Sequence, residues 1–128
     1  MGDKIERDLE ALRRWILEEL DDAKANDILE LDIRSLTQIA DWMVVASGTS
    51  TRHVLSTAEK LREAGAKRGT KPMGVEGENE GEWVLLDFGD VIVHLMLPAT
   101  REFYDLEGLW NERLGVKVKQ AREQKAEG

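Results

Sequence analysis

Apolar residues at Ile5, Leu9, Leu12, Ile16 and Leu20 recur at three- and four-residue steps, with charged residues between them. That spacing predicts an amphipathic helix from Asp3 to about Ala25, ended by Asn26-Asp27. ILELDI (Ile28 to Ile33) then alternates apolar and polar, as a strand with one wet face does. WMVVAS (Trp42 to Ser47) is continuous enough to predict a more buried strand. Gly48-Thr49-Ser50-Thr51 supplies capping hydroxyls for a second helix, with Val54, Leu55, Ala58 and Leu61 as its inward stripe and Gly65 or Gly69 near its end. Three strands follow: a short one at Pro72 to Glu76, then Glu82 to Phe88 and Val91 to Met96, the last two joined by Gly89-Asp90 as a tight hairpin. Pro98 breaks the last strand, and Thr100 is placed to cap a short helix through Leu106 towards Trp110. The order α-β-β-α-β-β-β-α implies an α/β domain: a mixed β-sheet flanked by helices, with the hairpin antiparallel and the unit around Gly48 a crossover.

Composition narrows the class. A chain of 128 residues fits one domain with one core. No apolar run approaches the roughly 20 residues of a membrane span. The first residues, MGDKIERDLEALRRW, mix acids and bases and lack the apolar stretch of a secretory signal, and the chain has no cysteine; both fit a cytoplasmic location. The net charge of −8 argues against a protein that coats nucleic acid and favours a basic partner. Charge is uneven, because residues 111–128 carry five bases (Arg113, Lys117, Lys119, Arg122, Lys125) against Glu112, Glu123 and Glu127. This stretch is therefore +2 and the remainder −10. It reads as a charged, flexible C-terminal tail after a domain spanning 1–110.

VEGENEGEWVLLDFGD (Val75 to Asp90) invites three chemical readings. A phosphate loop at Gly74, Gly77 and Gly81 lacks the lysine and hydroxyl such loops need, and offers Glu76, Glu78, Glu80 and Glu82 instead, which would repel phosphate. An extended backbone would project those four carboxylates to one side. Asp87-Phe88-Gly89 spells the metal-binding triplet of protein kinases without any of its companion motifs, and a hairpin turn explains it. A nucleotide site at the Gly48 to Thr51 turn would require metal-binding acids close downstream; the nearest alternating pair, Glu76 and Glu78, is remote in sequence. His53 and His94 have no metal-ligand spacing, and Ser47, Ser50 and Ser56 lack a nucleophile's context. Trp83, Tyr104 and Trp110 stand among charged residues, a pattern that suits interface anchors as well as core.

DWMVVASGTSTRHV (Asp41 to Val54), GVEGENEGEWVLLDFGDVIVHLM (Gly74 to Met96) and REFYDLEGLW (Arg101 to Trp110) resemble the ribosomal silencing factor family, known as RsfS or Iojap, in order over about Asp3 to Trp110. The resemblance implies a nucleotidyltransferase-like α/β fold without catalytic acids, no enzymatic activity and no cofactor. It also implies binding to the large ribosomal subunit through its protein numbered fourteen, at the intersubunit face. There the factor would block subunit association and repress translation when nutrients are scarce; organelle relatives assist large-subunit assembly, and several members are homodimers when free. Carried over by motif, the contact surface centres on Trp83, with Glu76, Glu78, His94, Met96, Arg101 and Tyr104 around it. The tail's Lys117, Lys119, Arg122 and Lys125 would touch rRNA at the periphery. The competing reading is a nucleotide-dependent enzyme using the Gly48 to Thr51 turn.

Overall fold

The N-terminal stripe folds as α1 (Gly2–Asp22), whose Leu12, Trp15, Ile16 and Leu20 are buried on one side. It closes earlier than Asn26-Asp27. Lys24 turns left-handed at φ 61°, Ala25 N–H donates to the Leu20 carbonyl and Lys24 N–H to that of Asp21, which satisfies the helix's last carbonyls. The computed structural model describes residues 2–108, with side chains from Asp8 onward, so the tail at residues 111–128 and the approach to Trp110 lie outside the described residues.

The chain then forms β1 (Asn26–Asp32), β2 (Trp42–Ser47), α2 (Thr51–Lys67), β3 (Gly74–Glu76), β4 (Trp83–Asp87), β5 (Val91–Met96) and α3 (Pro98–Tyr104). The five strands make one mixed sheet in the order β1-β2-β5-β4-β3. Only β2 and β5 run parallel among these pairs, with Val44 opposite Val93 and Val45 opposite His94. The crossover between them passes through α2 and out to the far edge at β3, before the β4–β5 hairpin returns to the centre.

Alternation assigns the faces. Val44, Ala46, Val84, Leu86, Val91, Val93 and Leu95 point to one side, where α1 and α2 cover them with Ile16, Leu20, Val54, Ala58 and Leu61. Met43, Val45 and Met96 point to the other, together with Leu31 and Ile33 and with Trp83, Ile92 and Leu106 at the margin. Alternation along β1 puts Ile28 with the first group and Leu29 and Leu31 with the second, while a register irregularity between Asn26 and Leu29, with Asp27 at φ 49°, marks the start of the strand.

The hairpin forms where expected, and the last helix starts earlier than expected and is interrupted once. Gly89 at φ 87° makes the β4–β5 turn, with its N–H donating to Asp87 Oδ1 at 2.8 Å, so the kinase-like triplet is turn chemistry. The helix does not wait for Thr100. It starts at Pro98, whose fixed φ and missing N–H suit a first helical position, with no side-chain cap on Leu97. It breaks after Tyr104 because Asp105 is left-handed at φ 48°, and helical backbone resumes at Leu106 to Gly108.

Candidate partner-binding face

The glutamate-rich stretch is not an extended ladder. Strand β3 ends at Glu76, and the backbone then turns at Gly77 (φ 88°) and Gly81 (φ 69°), with Gly81 N–H donating to the Gly77 carbonyl at 3.1 Å. A Cβ on Gly77 would lie 1.9 Å from the Trp83 carbonyl oxygen, a backbone atom that cannot swing aside. Gly77→Ala should therefore cost about 1–3 kcal/mol through strain alone and displace Trp83, seen as a lower denaturation midpoint and a changed tryptophan emission.

The turn splits the carboxylates. Glu78 leans towards α2, where Arg62 Nη1 donates to it at 2.8 Å. Glu76, Glu80 and Glu82 instead line an open cleft of about 370 Å³ whose other walls include Trp83, Leu85, Thr100 and Tyr104. Among the described residues these three carboxylates have no ion pair.

Trp83 is half-buried and held from two sides. Its Nε1–H donates to His94 Nδ1 at 3.0 Å, and its ring lies 4.9 Å from that of Tyr104. Because the indole N–H can only donate, His94 Nδ1 must accept, which requires a neutral ring with its proton on Nε2. Burial favours the same state and pushes the His94 pKa down to about 4. Tyr104 in turn meets Phe103 edge to face at 4.9 Å, and both are exposed, Tyr104 by 55% and Phe103 by 80%.

Beneath α3 lies a buried ion pair. Arg101 Nε donates to Glu107 Oε1 at 3.0 Å and its Nη1 to Ser47 Oγ at 2.9 Å, with both charged side chains 3% exposed. The seven residues carried over by motif thus fall into two layers. Glu76, Glu78 and Tyr104 are exposed and Trp83 partly so; His94, Met96 and Arg101 are buried and can only shape that surface from below. Phe103, Ser47 and Glu107 belong with them, although the motif does not bring them in. Phe103 stands beside Tyr104 in REFYD, whereas Arg101 and Glu107 lie on either side of the backbone break at Asp105, and nothing in their spacing signals that they pair.

At the Gly48 turn the Gly48 and Thr49 amides are already engaged, the first by the Met96 carbonyl at 3.0 Å. Ser50 Oγ caps α2 by accepting from His53 N–H at 3.1 Å, and Thr49 N–H donates to His53 Nδ1 at 2.9 Å. His53 Nε2 meets the Ala23 carbonyl at 2.8 Å, so this ring ties the turn to the end of α1. A Cβ on Gly48 would come within 2.7 Å of Val54 Cγ2, so the glycine is there for close helix packing. Among the described residues no group of three histidines or acids is placed to hold a metal, and no helix is long and apolar enough to cross a membrane.

The sequence matches the family described as "Ribosomal silencing factor during starvation" over residues 6–128. The chain belongs to the RsfS family. A Chromobacterium violaceum protein named "Ribosomal silencing factor RsfS" is 43% identical over 103 residues, covering 80% of this chain and 84% of that one. The crystal structure of a protein from the same organism superposes with a TM-score of 0.78 at 42% identity, covering 84% of this chain and 87% of its own. The similarity extends to a mouse protein named "Mitochondrial assembly of ribosomal large subunit protein 1", 37% identical over 92 residues, 70% of this chain but 40% of the mouse protein. The mixed five-stranded sheet with its helices is thus an RsfS fold.

Proposed function

We propose that this RsfS chain is a cytoplasmic translation repressor that works by occupancy. It binds the large ribosomal subunit at the protein numbered fourteen, on the face where the subunits meet, and excludes the small subunit; it catalyses no reaction and is a homodimer when free. The observation that carries this reading is the exposed Phe103–Tyr104 pair set against Trp83 and beside carboxylates that have no ion pair among the described residues, in a chain of net charge −8. Aromatic anchors ringed by one sign of charge suit a basic protein, with the rings supplying affinity and the carboxylates supplying approach rate and orientation.

Mixed with both purified subunits in a sucrose gradient, the protein should convert whole ribosomes into separate subunits with no nucleotide added. Tyr104→Ala, which removes an exposed ring and leaves the core intact, should weaken binding to isolated large subunits about thirtyfold, the equivalent of about 2 kcal/mol. Subunits that still join at saturating protein would overturn the reading. The enzyme alternative needs the Gly48 turn to receive phosphate, and a phosphate oxygen would have to displace His53 from the Thr49 amide. Calorimetry with a nucleoside triphosphate and magnesium should register no binding heat; a clear saturable heat would favour the enzyme.

A further inference from the structure

The cleft beside Trp83 combines aromatic walls with three carboxylates that have no partner within the described residues, although partners are at hand elsewhere: Glu78, in the same turn, has Arg62. The molecule also shows what such a combination holds. On the opposite side of the sheet Arg13 lies with its guanidinium carbon 3.5 Å from the centroid of the Trp42 ring while its Nε and Nη2 donate to the two oxygens of Glu30 at 2.9 and 2.8 Å. One planar cation there satisfies an indole face and a carboxylate together. Trp15 is similarly covered, by Arg68 at 5.0 Å, whereas no arginine or lysine among the described residues covers Trp83.

We propose that the cleft formed by Glu76, Glu80, Glu82, Trp83 and Tyr104 is a receptor for a single arginine side chain presented by the protein partner. The guanidinium plane lies along the aromatic wall and its edges donate to the carboxylates. Guanidinium suits this better than ammonium, because it is planar, weakly hydrated and carries donors on its rim while its faces remain free to stack. A volume of about 370 Å³ admits one long side chain and not a folded segment. The aromatic and carboxylate components work together: the rings shield the ion pairs from solvent, which raises their worth above that of surface pairs. This deepens the reading of a basic ribosomal partner and rests on it for the identity of that partner.

Two measurements on the full chain separate the cleft from that reading. The combined variant Glu76→Gln/Glu80→Gln/Glu82→Gln should bind isolated large subunits at least roughly tenfold more weakly, with a shallower fall of affinity against salt. Glu63→Gln, an exposed acid on α2 away from the cleft, should match the wild type. In parallel, N-acetyl-arginine methylamide titrated into the free protein should shift the Trp83 indole N–H resonance saturably in the millimolar range, more than the lysine analogue does, and the combined variant should abolish the shift. Wild-type affinity and salt slope in that variant would overturn the cleft while leaving ribosome binding intact. Failure of the wild type to bind subunits would overturn the occupancy reading, and the arginine titration would then decide the cleft alone: no saturable shift, or one equal to that of lysine, overturns it.

Discussion

Arg101→Ala should lower the unfolding free energy by about 3–5 kcal/mol, because it removes the guanidinium that faces the buried Glu107 carboxylate. The cost is set by desolvation. Each charge of the pair gave up its hydration to reach a site 3% exposed, and the pair recovers that loss only while both members are present. Ser47 Oγ, an acceptor for Arg101 at the end of β2, would also lose its partner. Replacing both charges by apolar residues of similar size, Arg101→Met with Glu107→Leu, should restore most of the stability. The two outcomes separate in a urea titration, where the single variant's midpoint falls steeply and the double variant's recovers. A single variant within about 1 kcal/mol of wild type would mean that the pair is hydrated and that α3 is held by other contacts. Binding should follow the same order for a geometric reason: the pair joins α3 and the segment after Asp105 to the end of β2, and α3 carries Phe103 and Tyr104.

How much of this is legible in the sequence depends on the range of the interaction. The stripe at Leu12, Ile16 and Leu20, the buried run of Val91 to Met96 and the glycine hairpin at Gly89 are local, and each leaves a period, an apolar run or a turn residue in the sequence; the elements form as expected. Pairings between distant segments leave no such trace. Nothing in WMVVAS or VIVHLM states that the two run parallel in register, since both are simply buried strands, and the placement of β3 at the far edge emerges only when the crossover closes. The same limit applies to the site. Motif resemblance draws Trp83, His94, Met96, Arg101 and Tyr104 together as neighbours, which the fold does bring about, but it cannot separate those that face solvent from those that lie under it. The four glutamates show the limit most sharply: their every-second-residue spacing predicts one face, and positive φ at Gly77 and Gly81 sends Glu78 to Arg62 and leaves the other three at the cleft. At α3, Thr100 has the chemistry of a cap, but Pro98 offers the chain a ready-set first helical position two residues earlier.

Acid should act on the same face through one residue. His94 is held below its ordinary value by burial, with Val45 and Leu85 opposite it on the neighbouring strands, so the folded chain takes up its proton only near pH 4 while the unfolded chain does so near 6.5. Between those values the unfolded state binds more protons. The stability that the neutral ring contributes is therefore fully present above about pH 6.5 and is lost progressively as pH falls to about 4. The gap corresponds to about 3 kcal/mol. His94→Gln should flatten the dependence in that window, because an amide oxygen can still accept from Trp83 Nε1–H and carries no proton to gain. Any slope left in the variant belongs to carboxylates titrating at the acid end. Protonation also breaks the local hydrogen bond, since an imidazolium has two donors and no acceptor to offer the indole. In the folded wild type, Trp83 emission should accordingly change near pH 4 and not in His94→Gln, and affinity for the large subunit should fall there with it. Equal pH profiles for the two proteins would show that the ring is already hydrated in the folded state and that the Trp83–His94 hydrogen bond does not fix the tautomer.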